Sequence, residues 1–443
     1  MATKIAPLSG FPEWLPPQRM IEQQVLDRVR KTFELYGFAP LETRAVEPLD
    51  QLLRKGETSK EVYVLSRLQA DETDASDAEL GLHFDLTVPF ARYVLENAGR
   101  LTFPFRRYQI QKAWRGERPQ QGRYREFTQA DIDIVGRDSL PFAADVEIVL
   151  TVGDTLRGLP IPDVTIQVNN RKLMEGFFRG IGIGDPDAAM RAVDKLDKIG
   201  PAAVAEVLSA TAGATDAQAK ACLALAEISA DDASFADAVR ALGVSDPLLD
   251  EGIAELVALV EAAREHSPGL VRAQLKIARG LDYYTGTVYE TVMRGFEAAG
   301  SVCSGGRYDN LVSSGADRFP GVGISIGVSR ILGLLFGAGA LAVSRDVPTC
   351  VLVAVVDEAT RAASTRVAAA LRTRGIPTEV APEAAKFGKQ IRYADRRRIP
   401  YVWFPSSDGD SVKDIRSGDQ VEADPTTWTP PAEDLTPMVT GAV

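Results

Sequence analysis

Apolar and polar positions repeat with two periods along the chain. Over residues 18–36 (QRMIEQQVLDRVRKTFELY), Met20, Ile21, Val25, Val29, Phe33 and Tyr36 recur at helical spacing, and Gly37 can end the helix. Strand-like stretches follow at 80–88, 106–116 and 126–135. Ahead of the first lies DETDASDAE (71–79), which holds five acids and no apolar residue larger than Ala and reads as a solvated hairpin tip or loop. From about 185 to 265 the chain turns Ala-rich and poor in aromatics, a run of helices broken at LGVSDPLLD and closed by EHSPG. Strand patterns resume over 271–294, so the helical part, about 170–268, reads as an insertion into a sheet domain.

A third pattern begins near Val347. VPTCVLVAVVDE is an apolar strand, ATRAASTRVAAALRTRG an amphipathic helix ending in Gly, and IPTEVAP, FGKQIRYADRRR and YVWFP follow as strand, helix and strand. Such an alternation within so short a stretch predicts a small α/β domain.

The densest polar chemistry is AWRGERPQQGRYREFTQADIDIVG (113–136). Gln129, Asp131 and Asp133 alternate with Ala130, Ile132 and Ile134, so on a strand the polar set shares one face. Arg115 and Glu117 share a face before RPQQGR, whose Pro and Gly predict a hairpin loop. Read alone, this is either a wetted surface hairpin or a ligand site. Arginine forks suit phosphate, and an aromatic such as Phe127 beside them suits a base.

Bulk properties narrow the field. At 443 residues the chain is long enough for two or three domains, and 45% hydrophobic with 25% charged residues is the composition of a globular protein in water. A net charge of −11 argues against general affinity for nucleic acid or membranes, though not against a local basic face. Cys222, Cys303 and Cys350 are far apart and odd in number, which suits the cytoplasm better than a disulfide scaffold. With only His83 and His266 besides, local spacing offers no Cys/His metal cluster, and no metal-binding residues are assigned. A carboxylate site for magnesium stays open, with ATP phosphates completing the shell. The start MATKIAPLSGFPEW lacks the pattern of a signal peptide, and no apolar run is long enough to suggest a membrane span.

Arg115-x-Glu117, a loop, then Arg123-x-x-x-Phe127 resembles motif 2 of the class II aminoacyl-tRNA synthetases, and ERPQQGRYREFTQADIDIVG resembles the form it takes in histidyl-tRNA synthetases. The resemblance covers nearly the whole chain. It implies an α+β fold: a class II catalytic domain over 1–345, with an antiparallel sheet flanked by helices and the helical insertion, then an α/β anticodon-binding domain over 346–443. It also implies an ATP-dependent ligase that joins L-histidine to tRNA(His), working as a homodimer.

The same resemblance assigns roles. Arg115 would hold the ATP α-phosphate and the amino-acid carboxylate, Glu117 would read the adenine amino group, Arg123 would hold phosphate and Phe127 would stack on adenine. LHFDLTVPFARYV (82–94) resembles the family's strand and helix start around the substrate amino group, with Asp85 and Thr87, two apart, as acceptors pointing one way; read alone, Asp85 also serves as a helix N-cap and Thr87 as packing. Gln129 would assist there. Asp133 and Tyr284 would each serve an imidazole nitrogen. In ARGLDYYTGTVYE (278–290), Arg279 would lie over the α-phosphate as a catalytic residue together with Arg115, and would also meet histidine. Tyr283 and Tyr284 are expected to point to opposite sides of a strand, which leaves Tyr283 to the pocket wall. FPGVGISIGVSRILGLLF (319–336) resembles motif 3 and makes Arg330 the γ-phosphate ligand, although the family usually has Glu-Arg where this chain has Ser329-Arg330. SGGRYDNLV (304–312) also resembles a family segment, and alone reads as a turn in which Gly305 and Gly306 allow close backbone approach. The Pro usual in motif 1 is replaced, with Arg44 at or near its position.

KFGKQIRYADRRR (386–398) sets Lys386, Lys389, Arg392, Arg396, Arg397 and Arg398 against one acid, Asp395. The stretch reads either as a solvated helix face or as a stripe that tracks an RNA backbone, with Tyr393 stacking on a base. Its resemblance to the anticodon-binding domain favours the second and makes Lys389, Arg392 and Arg396 tRNA contacts. By the same resemblance the helical insertion touches the acceptor arm. A competing expectation is a histidyl-tRNA synthetase-like regulatory subunit of histidine biosynthesis. Such subunits typically lack both the anticodon domain and an ARGLDYYTG-like stretch, and this chain has both.

Overall fold

The computed structural model describes residues 6–53, 61–67, 79–278, 283–315 and 317–441. Residues 71–78 of the acidic stretch therefore lie outside the described residues. The chain forms two compact units, one of residues 1–12 and 26–337, the other of residues 13–25 and 338–443.

Among the described residues the first unit holds a nine-stranded sheet. Its strands are β1 (Ala39–Pro40), β2 (Phe105–Trp114), β3 (Glu126–Val135), β4 (Val164–Asn170), β5 (Ser229–Ala230), β6 (Val271–Gln274), β7 (Thr287–Met293), β8 (Cys303–Tyr308) and β9 (Gly321–Ile326). They lie in the order β1-β2-β3-β9-β8-β7-β4-β6-β5, and the run from β2 through to β4 is antiparallel throughout. Between β4 and β6 the chain passes through helices Arg171–Gly180, Pro186–Val193, Leu196–Ala212, Asp216–Ala226, Ser234–Ala241 and Pro247–His266, with only the short β5 among them. The N-terminal helix runs Pro16–Leu35, with Ile21, Val25, Val29 and Phe33 buried and Gly37 at φ 77° just beyond it.

Period-2 patterning in the middle strands sets what each face can do. On one face, Tyr108, Ile132, Ile324 and Tyr289 lie in one cross-strand row with Gly305 between the last two, and Ala130, Ile326 and Cys303 lie in the next. These side chains are buried against the helices behind the sheet. The other face carries two polar rows. Gln109, Asp131, Ser325, Ser304 and Glu290 follow one another across β2, β3, β9, β8 and β7, and Arg107, Asp133, Gly323, Gly306 and Val288 form the row beside them. Ser and Gly in the central strands keep the floor of this face low, which leaves space above it.

Several sequence expectations need correcting here. Residues 80–88 are not one strand: Leu80–Leu82 is, and after a bend the helix Thr87–Asn97 begins. Asp85 and Thr87 are thus not alternate residues of a strand. SGGRY is the sheet strand β8 and not a turn, because Gly305 and Gly306 let neighbouring chain pack where a side chain could not stand. The 271–294 stretch divides into β6 and β7. Arg44 pairs with the fully buried Glu47 at 3.1 Å, and Arg92 holds the same carboxylate at 2.8 Å.

The second unit has a five-stranded sheet in the order Thr378–Val380, Val351–Val353, Tyr401–Phe404, Ser411–Asp414, Gln420–Glu422, the first three parallel. Val351, Val353 and Trp403 pack with Val367, Ala368 and Leu371 of helix Arg361–Thr373. Leu352, Val402 and Phe404 pack with Ala394 of helix Phe387–Arg396. An apolar strand with both faces covered is what a parallel sheet requires.

The tight floor of the nine-stranded sheet makes a prediction. A Cβ on Gly323 would lie 2.1 Å from Asp133 Oδ1 and 2.6 Å from the Ile132 carbonyl oxygen. Gly323→Ala should therefore cost about 1–3 kcal/mol of stability by overpacking. Urea unfolding checks this, and an unchanged midpoint and slope would contradict it.

Candidate active site

Above the polar rows lies a continuous trough built of two cavities. The first, about 380 Å³, is walled by Phe84, Asp85, Thr87, Asp131, Asp133, Tyr283, Tyr284 and Tyr308 over a floor of Gly306, Gly323 and Ser304. The second, about 490 Å³, is walled by Arg123, Phe127, Arg330, Glu290 and, from the inserted helices, Asp194, Asp197 and Lys198. Arg115, Glu117, Gln129, Ser304 and Ser325 line both and mark the junction. The fold thus gathers Asp85, Thr87, Arg115, Glu117, Arg123, Phe127, Gln129, Asp133, Tyr283, Tyr284 and Arg330, far apart in sequence, into one trough. Arg279 lies outside the described residues, as do Gly280 and Asp282.

At the centre of the first cavity Asp133 is held from two sides. Arg107 meets its Oδ2 at 2.7 Å, with both side chains buried. The Tyr308 hydroxyl donates to its Oδ1 at 2.5 Å. Burial, then the neighbouring Asp133 charge, keeps the Tyr308 phenol protonated well above its usual range. Arg107 is fixed in turn by stacking 4.1 Å over the Phe90 ring and by donating to Gln109 Oε1 at 3.3 Å. Asp133 thus presents a located carboxylate whose charge is matched by one buried cation.

Beside it, Gln129 donates to Ser325 Oγ at 2.6 Å, and the Ser325 hydroxyl also bonds to Asp131. Asp85 accepts from the Val88 backbone N–H at 3.0 Å, so it ties down the start of helix Thr87–Asn97 while lining the cavity. Thr87 is the first residue of that helix.

Tyr283 and Tyr284 are not split between two sides. They precede β7 in a turn, so strand alternation does not apply to them. Their rings lie 4.4 Å apart, the Tyr283 hydroxyl donates to the Tyr284 hydroxyl at 3.2 Å, and both line the same cavity. Gly306 makes room for this, since a Cβ there would come within 2.6 Å of the Tyr284 ring.

At the junction Arg115 follows β2 directly. Its Nε donates to the Phe84 carbonyl at 3.0 Å, and its guanidinium lies 5.2 Å from the Phe127 ring centre. Glu117 stands 4.0 Å from Arg115 and 3.6 Å from Arg123, loosely between two cations. The 118–123 segment is a hairpin tip, closed by paired Gln120 and Arg123 backbone bonds with Gly122 at φ 71°. Arg330 enters from helix Val328–Gly337 and donates to the Ala299 carbonyl. Burial, and then the Arg123 charge, push its guanidinium down to about 10 against the pull of Glu117. A buried cation beside a second cation is relieved by an anion. Ser329, the departure in motif 3, is buried and accepts from the Thr128 backbone N–H at 2.8 Å, which fastens the helix start to β3.

Sequence reasoning missed Arg107, Tyr308, Ser304, Ser325 and Glu61, the last of which also lines the first cavity, and left Asp131 without a role. For Tyr308 and the serines the signal was present: Ser304-x-Gly306-x-Tyr308 and Gly321-x-Gly323-x-Ser325 alternate with period 2. Arg107 carries no such signal, since a buried arginine is rare and only pairing permits it.

In the second unit Lys389, Arg392 and Arg396 are exposed on helix Phe387–Arg396 together with Lys386. Tyr393 is not part of that open stripe. It is half-buried against the domain core, and the Arg397 guanidinium, paired with Glu379 at 2.6 Å, lies 4.9 Å from its ring centre. The exposed aromatic on this helix is Phe387.

Known proteins resemble this chain along most of its length. The histidyl-tRNA synthetase family matches residues 10–331, and the anticodon binding domain family matches residues 349–404. A histidine–tRNA ligase of Cutibacterium acnes is 59% identical over 99% of this chain and 99% of its own length. A crystal structure of histidyl-tRNA synthetase from Nostoc superposes with a TM-score of 0.85 at 34% identity, covering 95% of this chain and 97% of that one. A Bacillus halodurans structure titled ATP phosphoribosyltransferase regulatory subunit/histidyl-tRNA synthetase superposes at 0.73 with 17% identity, over 89% of this chain and 97% of that one, a likeness of fold alone. The chain belongs to the histidyl-tRNA synthetase family, within the class II aminoacyl-tRNA synthetases.

Tyr308 offers a test of the central contact. Tyr308→Phe removes one donor from a buried carboxylate and should cost about 1–3 kcal/mol of folding stability. Denaturant unfolding measures it, and a loss below a few tenths of a kcal/mol would show that Asp133 does not depend on the phenol.

Proposed function

We propose that this chain is a histidine–tRNA ligase, which activates L-histidine with ATP to histidyl-adenylate and passes the histidyl group to the 3′ end of tRNA(His). The observation that carries the reading is the trough: a carboxylate-and-phenol cavity joined through Arg115 to a cation-and-aromatic cavity. That division suits an aminoacyl-adenylate, with amino acid in the first part and nucleotide in the second.

In the first part, Asp133 and Tyr284 would meet the two imidazole nitrogens, with Tyr283 against the ring. Hydrogen bonds to both nitrogens separate histidine from rings of similar size far better than an apolar pocket could. Asp85, Thr87 and Gln129 would take the amino group. Arg115, at the junction, would bind the carboxylate and the α-phosphate. In the second part Phe127 would stack on adenine, Glu117 would accept from its amino group, and Arg123 and Arg330 would hold the β- and γ-phosphates. Arg279 keeps its proposed place over the α-phosphate from the motif that carries it.

The carboxylate of histidine attacks the α-phosphorus in line and pyrophosphate leaves. The tRNA 3′-hydroxyl then attacks the adenylate carbonyl and AMP leaves. Neither step uses a protein nucleophile, so the chain's contribution is alignment and fixed positive charge where phosphate charge develops. Mg2+ would arrive with the ATP phosphates, keeping most of its shell as phosphate oxygen and water. Glu290 on the nucleotide-side wall would supply an oxygen to it.

Lys389, Arg392 and Arg396 would contact the tRNA backbone, and the inserted helices its acceptor arm. We infer a homodimer and a cytoplasmic site of action from the family alone. Among the described residues no helix is long and apolar enough to cross a membrane. The regulatory-subunit alternative has less support, because the chain carries an anticodon binding domain and matches a ligase along its whole length.

Two measurements test this. ATP–pyrophosphate exchange should require histidine among the twenty amino acids, and Arg115→Ala should lower its rate by about a hundredfold or more; exchange with no amino acid, or with a different one, ends the reading. Replacing Lys389, Arg392 and Arg396 together by Ala should weaken tRNA(His) binding about tenfold or more and flatten its salt dependence. Unchanged binding at two salt concentrations would place the anticodon contact elsewhere.

A further inference from the structure

Asp131 is left unused by the reading above, although it stands in the first cavity. Its side chain is 3% exposed, and its Oδ1 has no hydrogen-bond partner among the described residues. Gln129, 8% exposed, has the same vacancy at Oε1. Both residues line the cavity on adjacent same-face positions of β3. Their other polar atoms share one anchor, since Ser325 accepts from Gln129 Nε2 at 2.6 Å and bonds to Asp131. Two buried acceptor atoms are thus held in place by one serine and, among the described residues, left without donors.

Leaving a buried acceptor unmade costs about 1–3 kcal/mol, and more for a charged group. Among the described residues, the buried cation of this face, Arg107, lies against Asp133 at 2.7 Å. The groups that act on Asp131 come from every neighbouring element: Arg107 from β2, Asp133 on its own strand, Ser325 from β9 and Asp85 from the bend before helix Thr87–Asn97. Of these, Asp133 and Asp85 add negative charge. Such a set calls for a compact cation with several N–H donors.

We propose that Asp131 is a direct ligand of the α-ammonium group of the amino-acid substrate, completing a clasp of acceptors with Asp85, Thr87 and the Gln129 carbonyl oxygen. This rests on the reading of the first cavity as the histidine site and adds to it a specificity-determining residue. Burial, with Asp133 and Asp85 assisting, holds the Asp131 carboxyl protonated up to about 7, while Arg107 and Ser325 oppose them. An arriving ammonium favours the carboxylate and lowers that value. Histidine binding at pH 7 therefore releases part of a proton from Asp131, and this release fades as pH rises above about 8.

The test compares L-histidine with its des-amino analogue, 3-(imidazol-4-yl)propionate, on the full-length protein. Wild-type histidine-dependent exchange is measured first, so that the histidine reading stands or falls before Asp131 is tested. In Asp131→Asn, histidine affinity should fall about 10–100-fold, with affinity for the des-amino analogue and for ATP unchanged. Equal affinity for histidine, or an equal loss for both imidazole ligands, overturns the proposal. Calorimetry of the wild type in two buffers of different ionisation heat needs no variant. Proton release with histidine that exceeds that with the analogue at pH 7 supports the clasp, and equal release overturns it.

Discussion

A single buried contact organises the candidate site: Arg107 and Tyr308 holding Asp133 from two strands. Removing either partner of a buried ion pair typically costs about 3–5 kcal/mol, because the other charge is stranded. The pair therefore does not add stability cheaply; it fixes geometry. It sets Asp133 between β2 and β8, and it needs Gly323 beneath the carboxylate because no Cβ fits there. Gly306 in the same row admits the Tyr284 ring. Charge, floor and wall of the first cavity thus follow from one row of residues across the sheet.

The nucleotide side obeys a different economy. Arg123 and Glu117 stand 3.6 Å apart, and the charges of both act on Arg330. A site for a polyphosphate needs positive charge that is not yet neutralised, and Arg330 is a cation whose proton affinity is depressed first by burial and then by the Arg123 charge. Arg115 joins the two sides, anchored by the Phe84 carbonyl and lying near Phe127. Both halves of an adenylate would meet at that guanidinium, where the new bond forms.

How much of this could be read from the sequence depends on the range of the interactions. The hairpin of β2 and β3, with Gln129, Asp131 and Asp133 on one face, follows from local alternation, and it is present with that register. The helical stretch and the small C-terminal α/β sheet follow from periodicity in the same way. The failures share one cause. Asp85 and Thr87 read as strand because LHFDLT alternates, yet a bend and a helix start intervene. The tyrosine pair reads as alternating, but it lies in a turn where Gly306, distant in sequence, decides the packing. Tyr393 reads as an open aromatic in a basic stripe, and Arg397 with Glu379 covers it. Arg107 was invisible because its meaning lies wholly in partners on other strands.

The central claim is that one trough receives an aminoacyl-adenylate with its amino acid over the Asp133 row and its base against Phe127. A crystal structure with a non-hydrolysable sulfamoyl analogue of histidyl-adenylate tests it most directly. The account predicts the imidazole between Asp133 and Tyr284, the ammonium within hydrogen-bond reach of Asp85, Gln129 and Asp131, the sulfamoyl group at Arg115 and adenine on Phe127. An analogue lying in the reverse sense, or bound with its imidazole out of reach of Asp133, would contradict it.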